Sequence, residues 1–408
     1  MIAAALLIAA GAGSAGAQSS TSPYSKIGYG LLGENATGLQ RSMGGVGFAM
    51  QNGRQINAMN PASYASVDSL TFLWDIGLDL TNVWAKENGV SGHAFGGGLD
   101  YINAAFKLAK HVGGSFGVVP FSSVGYTFGN KLENSSTETR IGSGGISEFY
   151  VGAAWEPVRG LSAGFNVSYM FGTIYNDSYV YSTSTTLYER AMEIRDWNIN
   201  IGVQYKMQLN PKDNLVIGLT YSPKKSFHGH TWGAYYDSNQ DTEADTVGYT
   251  SMSGKYQKPN TFGVGLSYNH SDRLSAELDF TYQDWAKAKY TPLEGFESSD
   301  LKFDNRWKVA AGVQYTPNPR GSYLKRMTYR FGGHYNHDYV NVNGNNVRDY
   351  GLGLGFTFPA PAGKTLVNLG FEWKHRYTKP TNLISEDYLN ITLSVTFNEM
   401  WFWKNKIR

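Results

Sequence analysis

Cysteine is absent from the 408-residue sequence, so neither a disulfide framework nor a thiolate metal site is available. No run of 18 apolar residues occurs, which excludes a protein that crosses a membrane as apolar helices. Charged residues make up 17% of the chain and the formal net charge is +2, so the basic surface typical of nucleic-acid-binding proteins is missing. These absences leave the periodicity of the apolar residues as the main source of information.

Apolar residues recur at every second position in many stretches of the chain. In residues 196–205, polar residues alternate with Trp197, Ile199, Ile201, Val203 and Tyr205. This period indicates a β-strand with one apolar and one polar face. Aromatic residues reach 14%, as is typical of membrane barrels with aromatic girdles. The sequence therefore predicts an all-β, antiparallel transmembrane β-barrel in the outer membrane of a Gram-negative bacterium, in contact with the lipid bilayer and lipopolysaccharide.

Fourteen stretches are predicted as strands, an even number that places both ends of the barrel on the periplasmic side. They are residues 69–82, 96–109, 113–128, 146–156, 161–175, 193–207, 213–229, 247–269, 274–289, 303–315, 324–340, 346–358, 364–378 and 386–397. Short connections are predicted as periplasmic turns, at 156–160, 209–213, 270–273, 318–321 and 360–363. Long connections are predicted as outer loops, at 176–192, 229–250 and 290–302. A soluble β-propeller or sandwich accounts for the alternation, but not for the aromatic excess or the one-sided loop lengths.

The segments that flank the barrel have their own character. Residues 1–17 are predicted to be a signal peptide, with an apolar stretch followed by the cleavage pattern Ala15-Gly16-Ala17. Residues 18–68 do not alternate, and they are predicted to form an N-terminal hatch inside the barrel, which spans 69–397. Residues 398–408 are predicted to be a periplasmic tail. Its aromatic and basic residues either anchor it at the membrane interface or dock a protein partner.

Pro120 interrupts the third predicted strand. Phe116 and Val118 keep one face of that strand, and Val124 and Tyr126 are expected to resume it. Because proline donates no hydrogen bond to a strand ladder, its place in a sheet is a bulge or a kink. A broken ladder in hydrocarbon costs several kcal/mol unless the freed groups face water. Two interpretations remain: a local bulge in an intact wall, or a gap in the wall lined by the lumen.

Four sequence elements carry a resemblance to a known family. They are Met43-Gly44-Gly45-Val46-Gly47-Phe48-Ala49, Asn60-Pro61-Ala62-Ser63-Tyr64-Ala65, Lys258-Pro259-Asn260-Thr261-Phe262-Gly263-Val264-Gly265-Leu266-Ser267-Tyr268 and Asp279-Phe280-Thr281-Tyr282-Gln283-Asp284-Trp285. In order and spacing they resemble the FadL/TodX family of outer-membrane transporters for hydrophobic compounds. The resemblance covers nearly the whole chain after the signal peptide.

The resemblance implies a 14-stranded barrel plugged by an N-terminal hatch. Small hydrophobic molecules, such as fatty acids or aromatic hydrocarbons, would enter from outside and leave sideways through a kink in strand three. The matching hatch element is Asn60, Pro61 and Ala62, and the matching kink comprises Gly117, Val119, Pro120 and Phe121.

The ligand-lining residues are not implied by the resemblance. Because the predicted inward wall faces are mostly polar, a hydrophobic ligand would depend on apolar hatch residues. The candidates are Met43, Phe48, Met50, Ile56 and Met59.

The predicted function is thus passive transport of small hydrophobic molecules, without catalysis or cofactor. The alternative is a non-transporting barrel subunit of a secretion or barrel-assembly complex, as some relatives of the FadL/TodX family are. The appended tail and the polar lumen favour it. An open porin is a weaker alternative, because the hatch would block conductance.

Four other motifs are explained better by structure than by a chemical function. Residues 113–117 fit the spacing of a nucleophile elbow, but a strand follows instead of a helix. His228 with His230, and His334 with His337, lack a third metal ligand, and exposed histidines at loop edges explain them better. The acidic residues of 241–245 fit a solvated loop better than a calcium site. Glu277 and Asp279 share an inward face, and lining a wet lumen explains them without catalysis.

Overall fold

The computed structural model describes residues 22–131, 136–182, 185–238, 245–252, 254–271, 273–298, 301–360 and 365–400. The predicted signal peptide, residues 241–244 of the acidic loop and residues 401–408 of the predicted tail lie outside these ranges.

Twenty strands account for most of the described chain. They are β1 (Leu31–Leu32), β2 (Thr71–Glu87), β3 (Val90–Ala109), β4 (Val112–Ser123), β5 (Tyr126–Lys131), β6 (Thr137–Val158), β7 (Leu161–Tyr181), β8 (Thr185–Gln208), β9 (Asp213–Ser222), β10 (Lys225–Phe227), β11 (Gly229–Ser238), β12 (Asp245–Met252), β13 (Tyr256–Lys258), β14 (Thr261–His270), β15 (Leu274–Gln283), β16 (Arg306–Tyr315), β17 (Thr328–Val342), β18 (Asn345–Pro359), β19 (Leu366–Lys379) and β20 (Ser385–Met400).

Helices are few and short. Two α-helical turns, α1 (Gly38–Arg41) and α2 (Tyr323–Arg326), accompany 3₁₀ turns at Pro23–Lys26, Pro61–Ser66 and Trp285–Lys287. No helix in the described ranges is both long and apolar enough to cross a membrane.

The strands close into an antiparallel barrel of fourteen wall positions. Each wall strand pairs with its sequence neighbours, and β2 closes the circle by pairing with both β3 and β20. Three positions are built from more than one strand: β4 with β5, β9 with β10 and β11, and β12 with β13 and β14. The predicted 14-stranded antiparallel barrel is confirmed.

The period-two pattern separates the two faces of the wall. On β8, Trp197 and Ile199 are exposed outward, while Asn198 between them is buried toward the lumen. On β14, Phe262 and Val264 are exposed and Ser267 is buried. An apolar outer face and a polar inner face suit a barrel whose outer surface is in lipid.

The predicted outer loops 176–192 and 229–250 are wrong, because both stretches are mostly strand. β7 pairs with β8 as far as Tyr181 and Thr185, and β11 pairs with β8 and β12. Beyond the membrane the outer face of a strand meets water instead of lipid, so the apolar alternation ends although the backbone ladder continues. The third predicted loop, 290–302, contains no strand among its described residues.

Two residues of the third strand lie on the other side of the wall from their predicted position. Val124 and Tyr126 do not resume the outward face of Val118; their side chains are buried inside. The chain leaves its ladder with β3 after Val118, and this departure changes the phase of the alternation. At the other end of the barrel, β20 runs to Met400, so the first three residues of the predicted tail belong to a strand.

Residues 22–70, called the N-terminal segment below, lie within the barrel. Its side chains at Met43, Ala49 and Ala62 are completely buried. Several wall glycines allow the segment to approach the sheet, since a Cβ on Gly218 would overlap the backbone of Phe48. The barrel interior is therefore a packed core in which the wall and the segment are complementary in shape.

Gly218→Ala is expected to displace the N-terminal segment and to lower the free energy of unfolding by about 1–3 kcal/mol, the usual cost of overpacking. Denaturant titration of the barrel in detergent measures this change, and limited proteolysis measures access to residues 22–70. Gly92→Ala is the matched control, because no atom lies within 4 Å of the Cβ that it adds. Equal stability of the two variants would contradict the packing described here.

Candidate functional site

The N-terminal segment is tied to the wall by hydrogen bonds on several sides. Asp279 on β15 accepts from the backbone N–H groups of Gly47 at 2.6 Å and Phe48 at 2.9 Å. From β8, Gln204 donates to the carbonyl of Phe48 at 2.9 Å. Tyr101 on β3 accepts from the backbone N–H of Gly38 at 2.9 Å. Because these strands lie at different positions around the wall, their bonds fix the segment across the lumen.

Asn60, Pro61 and Ala62 form the start of a 3₁₀ turn against the wall. Asn60 is buried; its side-chain oxygen accepts from the N–H of Ala62 at 3.1 Å, and its amide donates to the carbonyl of Phe48 at 2.7 Å. Pro61 suits the first position of the turn, where no donor is needed. A Cβ at Gly164 of β7 would clash with the Pro61 carbonyl. This element therefore faces β7 and β8, while Tyr64 of the same turn packs in a cluster with Val119.

Pro120 marks the place where β4 leaves β3. The β3–β4 ladder includes Gly117 and ends with the pair Ile102 and Val118. Beyond it, β4 pairs with β1 of the N-terminal segment, and Gly33 donates to the carbonyl of Phe121 at 2.7 Å. The backbone groups of β4 that turn away from β3 are thus satisfied by the N-terminal segment.

The departure of β4 leaves a discontinuity in the wall, called the seam below. Within the described residues, Val90 to Leu99 of β3 pair only with β2, and β5 pairs only with β6. The register of β4 with β6 also shifts between Pro120 and Ser122. A register shift in β4 and a stretch of β3 that does not pair with β4 therefore occur together at this point.

The five apolar hatch candidates are divided among three packed clusters. Met43 and Met50 pack with Leu39, Val46 and Ala310. Ile56 packs with Val67, Leu73 and Ala105. Phe48 and Met59 pack with Ala36, and of the five candidates only these two line the internal cavity. The sequence correctly indicated that the five candidates are buried, but the structure does not place all five around a single cavity.

The cavity has a volume of about 150 Å³, and polar and apolar atoms contribute about equally to its lining. Its apolar lining is Phe48, Ala58, Met59, Val119, Phe121 and Trp285, and its charged lining is Glu34, Glu148, Lys258, Arg306 and Lys308. The other lining residues are glycines, Tyr150 and uncharged polar side chains, including Asn198, Thr220, Ser222 and Gln283. The cavity reaches the Pro120 region through Val119 and Phe121.

Ionic contacts connect the cavity wall to the N-terminal segment. Glu34 lies 2.6 Å from Lys308 Nζ and 3.4 Å from Arg306 Nη2. Burial alone would raise the pKa of Glu34, but the charges of Lys308 and Arg306 outweigh it and lower this pKa to about 2. The segment is therefore held to β16 by an ionised carboxylate at neutral pH.

Lys258 is the most isolated of the cations in the cavity lining. It is buried and donates to Asn198 at 2.6 Å and to Ser222, both of them neutral. The same Asn198 donates from its amide to Glu148, at 3.4 Å. A buried ammonium requires such acceptors, so an apolar molecule that displaced them would leave a charge unsolvated. The chemistry of this cavity favours polar groups.

The outer part of the lumen is filled by aromatic and aliphatic side chains, called the outer cluster. Trp285 and Tyr339 stack with ring centroids 4.7 Å apart, and Tyr29 packs against Trp285 at 5.5 Å. The buried members are Tyr24, Tyr29, Val124, Tyr126, Ile146, Met170, Ile174, Met192, Ile194, Phe227, Tyr256, Trp285, Tyr339, Val340 and Val347. Sequence reasoning missed this cluster. Its signal in the sequence is the pair of adjacent apolar residues at 339 and 340, because strict alternation would place a polar residue at one of these two positions.

The histidines and paired carboxylates form structural contacts. His334 is not at an exposed edge as expected; its Nε2 lies 3.2 Å from Asp349 and its Nδ1 3.6 Å from Glu372 inside the lumen. His228, in contrast, is exposed and lies 3.0 Å from Asp196. In the described part of the chain, no three His, Cys, Asp or Glu side chains form a group suited to a metal ion. Asp279 is used by the N-terminal segment, so it is not available as an acid–base partner of Glu277.

Glu34→Gln is expected to loosen the N-terminal segment, because it leaves Lys308 and Arg306 without their anion. Loss of a charged hydrogen bond of this kind costs about 1.5–3 kcal/mol. The wild-type pKa is lowered, so the contribution is present above about pH 4.5 and disappears as the pH falls toward about 2. Hydrogen exchange of residues 33–45 between pH 3 and pH 7 measures it.

The pH series has its own control. Glu87→Gln removes an exposed carboxylate at the end of β2 and should keep the wild-type profile. A Glu34→Gln variant whose exchange still changed with pH as the wild type does would contradict the anchoring role.

Solved structures with the same fold are outer-membrane proteins. The toluene transporter TodX of P. putida aligns with a TM-score of 0.66 and 13% identity, over 91% of this chain and 100% of that one. A Pseudomonas aeruginosa FadL homologue aligns with a TM-score of 0.64 and 13% identity, over 90% and 99%. The Ralstonia pickettii toluene transporter TbuX gives 0.61 and 14%, over 89% and 98%. At these identities the likeness establishes a FadL-type barrel fold and not a substrate.

Sequence comparison adds one family. The family model described as BamG matches residues 1–408, the full length of the chain. No curated protein matches the chain in sequence.

Proposed function

The chain belongs to the BamG family, and we propose that it acts as a non-transporting barrel subunit of an outer-membrane secretion or barrel-assembly complex. The proposal assigns it no catalytic role and no cofactor. The closed interior is the observation that carries it. The outer cluster and the N-terminal segment occupy much of the lumen, and the cavity beside them is small and lined by charged as well as apolar side chains.

The dimensions of the cavity favour this function over carriage of a hydrophobic compound. Sites for small molecules usually measure about 300–1,000 Å³ and are mostly apolar. The cavity here is about 150 Å³ and contains three cations, among them the buried Lys258. Transfer of an apolar molecule into it would displace hydrogen-bonding groups without replacing their partners.

Purification from native outer membranes, with a tag on the full-length chain, tests the proposal. We expect the chain to co-purify with the same membrane proteins at fixed stoichiometry, and to give near-zero conductance in planar bilayers because its lumen is filled. A tagged barrel of unrelated function from the same membranes is the control. A monomeric preparation that retains a hydrophobic compound, identified by mass spectrometry, would overturn it.

Transport of small hydrophobic molecules is the second candidate, and the seam favours it. The wall is discontinuous between β3 and β5, and the cavity reaches that region at Val119 and Phe121. TodX and TbuX, which share the fold, are described as toluene transporters. In this alternative a molecule would pass from the lumen through the seam into the membrane.

Replacing Pro120 with threonine tests the second candidate, because threonine restores a backbone donor at the point where β4 leaves β3. If molecules exit through the seam, Pro120→Thr is expected to slow uptake of radiolabelled toluene and fatty acids severalfold. Pro359→Thr, at the end of β18, is the matched control. Uptake unchanged by Pro120→Thr for every compound tried rules out the lateral route.

A further inference from the structure

One side of the barrel extends beyond the membrane as a tall sheet. On β8 the outward face carries Trp197, then the ion-paired residues Arg195 and Glu193. A charged pair does not suit hydrocarbon, so the lipid-facing part of this strand ends near Trp197. The ladder nevertheless continues to Tyr181 and Thr185 at the end of the β7–β8 hairpin. The outer sheet, defined as residues 137–144, 173–181, 185–193, 229–238 and 245–252, therefore stands above the bilayer.

The outward face of the outer sheet is rich in aromatic residues. Cross-strand register aligns Tyr175 with Ala191 and Trp232 in one row. A second row, four residues further from the membrane, aligns Tyr179 with Leu187 and Tyr236. The face is completed by Tyr181, whose ring stacks on Tyr179 at 6.3 Å, and by Tyr249, whose ring stacks on Trp232 at 6.2 Å. This aromatic face lies on the same outward side of the strands as the lipid-facing wall, and the polar band of Arg195 and Glu193 separates the two.

Two carboxylates lie between the aromatic rows. Asp177 and Glu189 are directly opposite each other on β7 and β8. Neither forms an ion pair with a described residue, and one carboxylate oxygen of Asp177 is buried without a hydrogen-bond partner there. Burial, and then the charge of Glu189, raise the pKa of Asp177 to about 6. Like charges directly opposite on a sheet destabilise it, so the free protein retains a repulsion that a cation would relieve.

We propose that this aromatic face is the docking surface for a second outer-membrane protein, which places an arginine or lysine side chain between Asp177 and Glu189. The charge of the carboxylate pair selects a basic group, and the surrounding tyrosines and tryptophan supply the contact area typical of interface centres. Because the face continues the lipid-facing wall, its partner stands beside the barrel in the same membrane. This inference rests on the proposed function and names the surface used.

Site-specific photo-crosslinking in native membranes tests the surface. With a benzophenone amino acid at Tyr181 or Tyr249, we expect crosslinks to one membrane protein, mapped by mass spectrometry to a peptide with an arginine or lysine. The same probe at Tyr350, which is exposed on β18, is the control position and should not trap that protein. Crosslinking to lipopolysaccharide, or equal trapping from all three positions, would overturn the inference.

The double variant Asp177→Asn with Glu189→Gln tests the charge. It is expected to reduce the crosslink yield at Tyr181 about tenfold or more, since unpairing a buried interfacial charge mainly accelerates dissociation. It should leave the free barrel equally or more stable in denaturant, because the repulsion is gone. Glu87→Gln is the matched control and should keep the wild-type yield. An unchanged yield in the double variant would overturn the inference, and so would loss of the wild-type crosslink in EDTA, which assigns the carboxylates to a metal ion.

The test separates this inference from the function on which it rests. If the complex co-purifies at fixed stoichiometry from both the wild type and the double variant, the subunit function holds and the docking surface is wrong. If no complex is recovered from the wild type, the proposed function itself fails.

Discussion

The need to satisfy every backbone polar group without water governs this barrel. Within hydrocarbon, an unpaired N–H or C=O costs several kcal/mol, so the strands close in a circle through the pairing of β2 with β20. The interruption after Val118 shows the same requirement. There β4 stops pairing with β3 and pairs with β1 of the N-terminal segment, and the N–H of Gly33 donates a hydrogen bond to the Phe121 carbonyl. The departing strand is supplied with a partner from inside the barrel.

A lumen of this width needs filling, and it is filled in two chemically different ways. Toward the outer end, aromatic rings such as Tyr29, Trp285 and Tyr339 pack against one another, and the Tyr339 hydroxyl accepts from the Tyr29 N–H at 3.1 Å. Nearer the Asn60 element, the contacts are hydrogen bonds and ion pairs, including that of Glu34 with Lys308. A packed apolar cluster and a polar, specific attachment of the N-terminal segment therefore fill much of the lumen.

The sequence predicted the wall because the polarity of each wall residue indicates whether its side chain faces lipid or the lumen. Trp197 and Asn198 differ in polarity since one meets lipid and the other the lumen. Most of the outer sheet was not predicted, because above the bilayer that difference disappears and Asp177 and Tyr179 resemble loop residues. The outer cluster also escaped, since Tyr24, Tyr126 and Tyr339 meet only across the lumen. For the candidate site, sequence identified buried residues such as Met43 and Phe48 correctly, but their division into separate clusters depends on three-dimensional packing.

The pairing of β1 with β4 has a mechanical consequence. Leu31 and Leu32 are at once part of the N-terminal segment and ladder partners of Ser123 and Ser122. Pulling that segment out would leave β4 without the partner it gained on leaving β3, beside the seam. Withdrawal of the N-terminal segment would therefore also widen the seam. A force applied to the amino-terminal end would be transmitted to the side of the barrel.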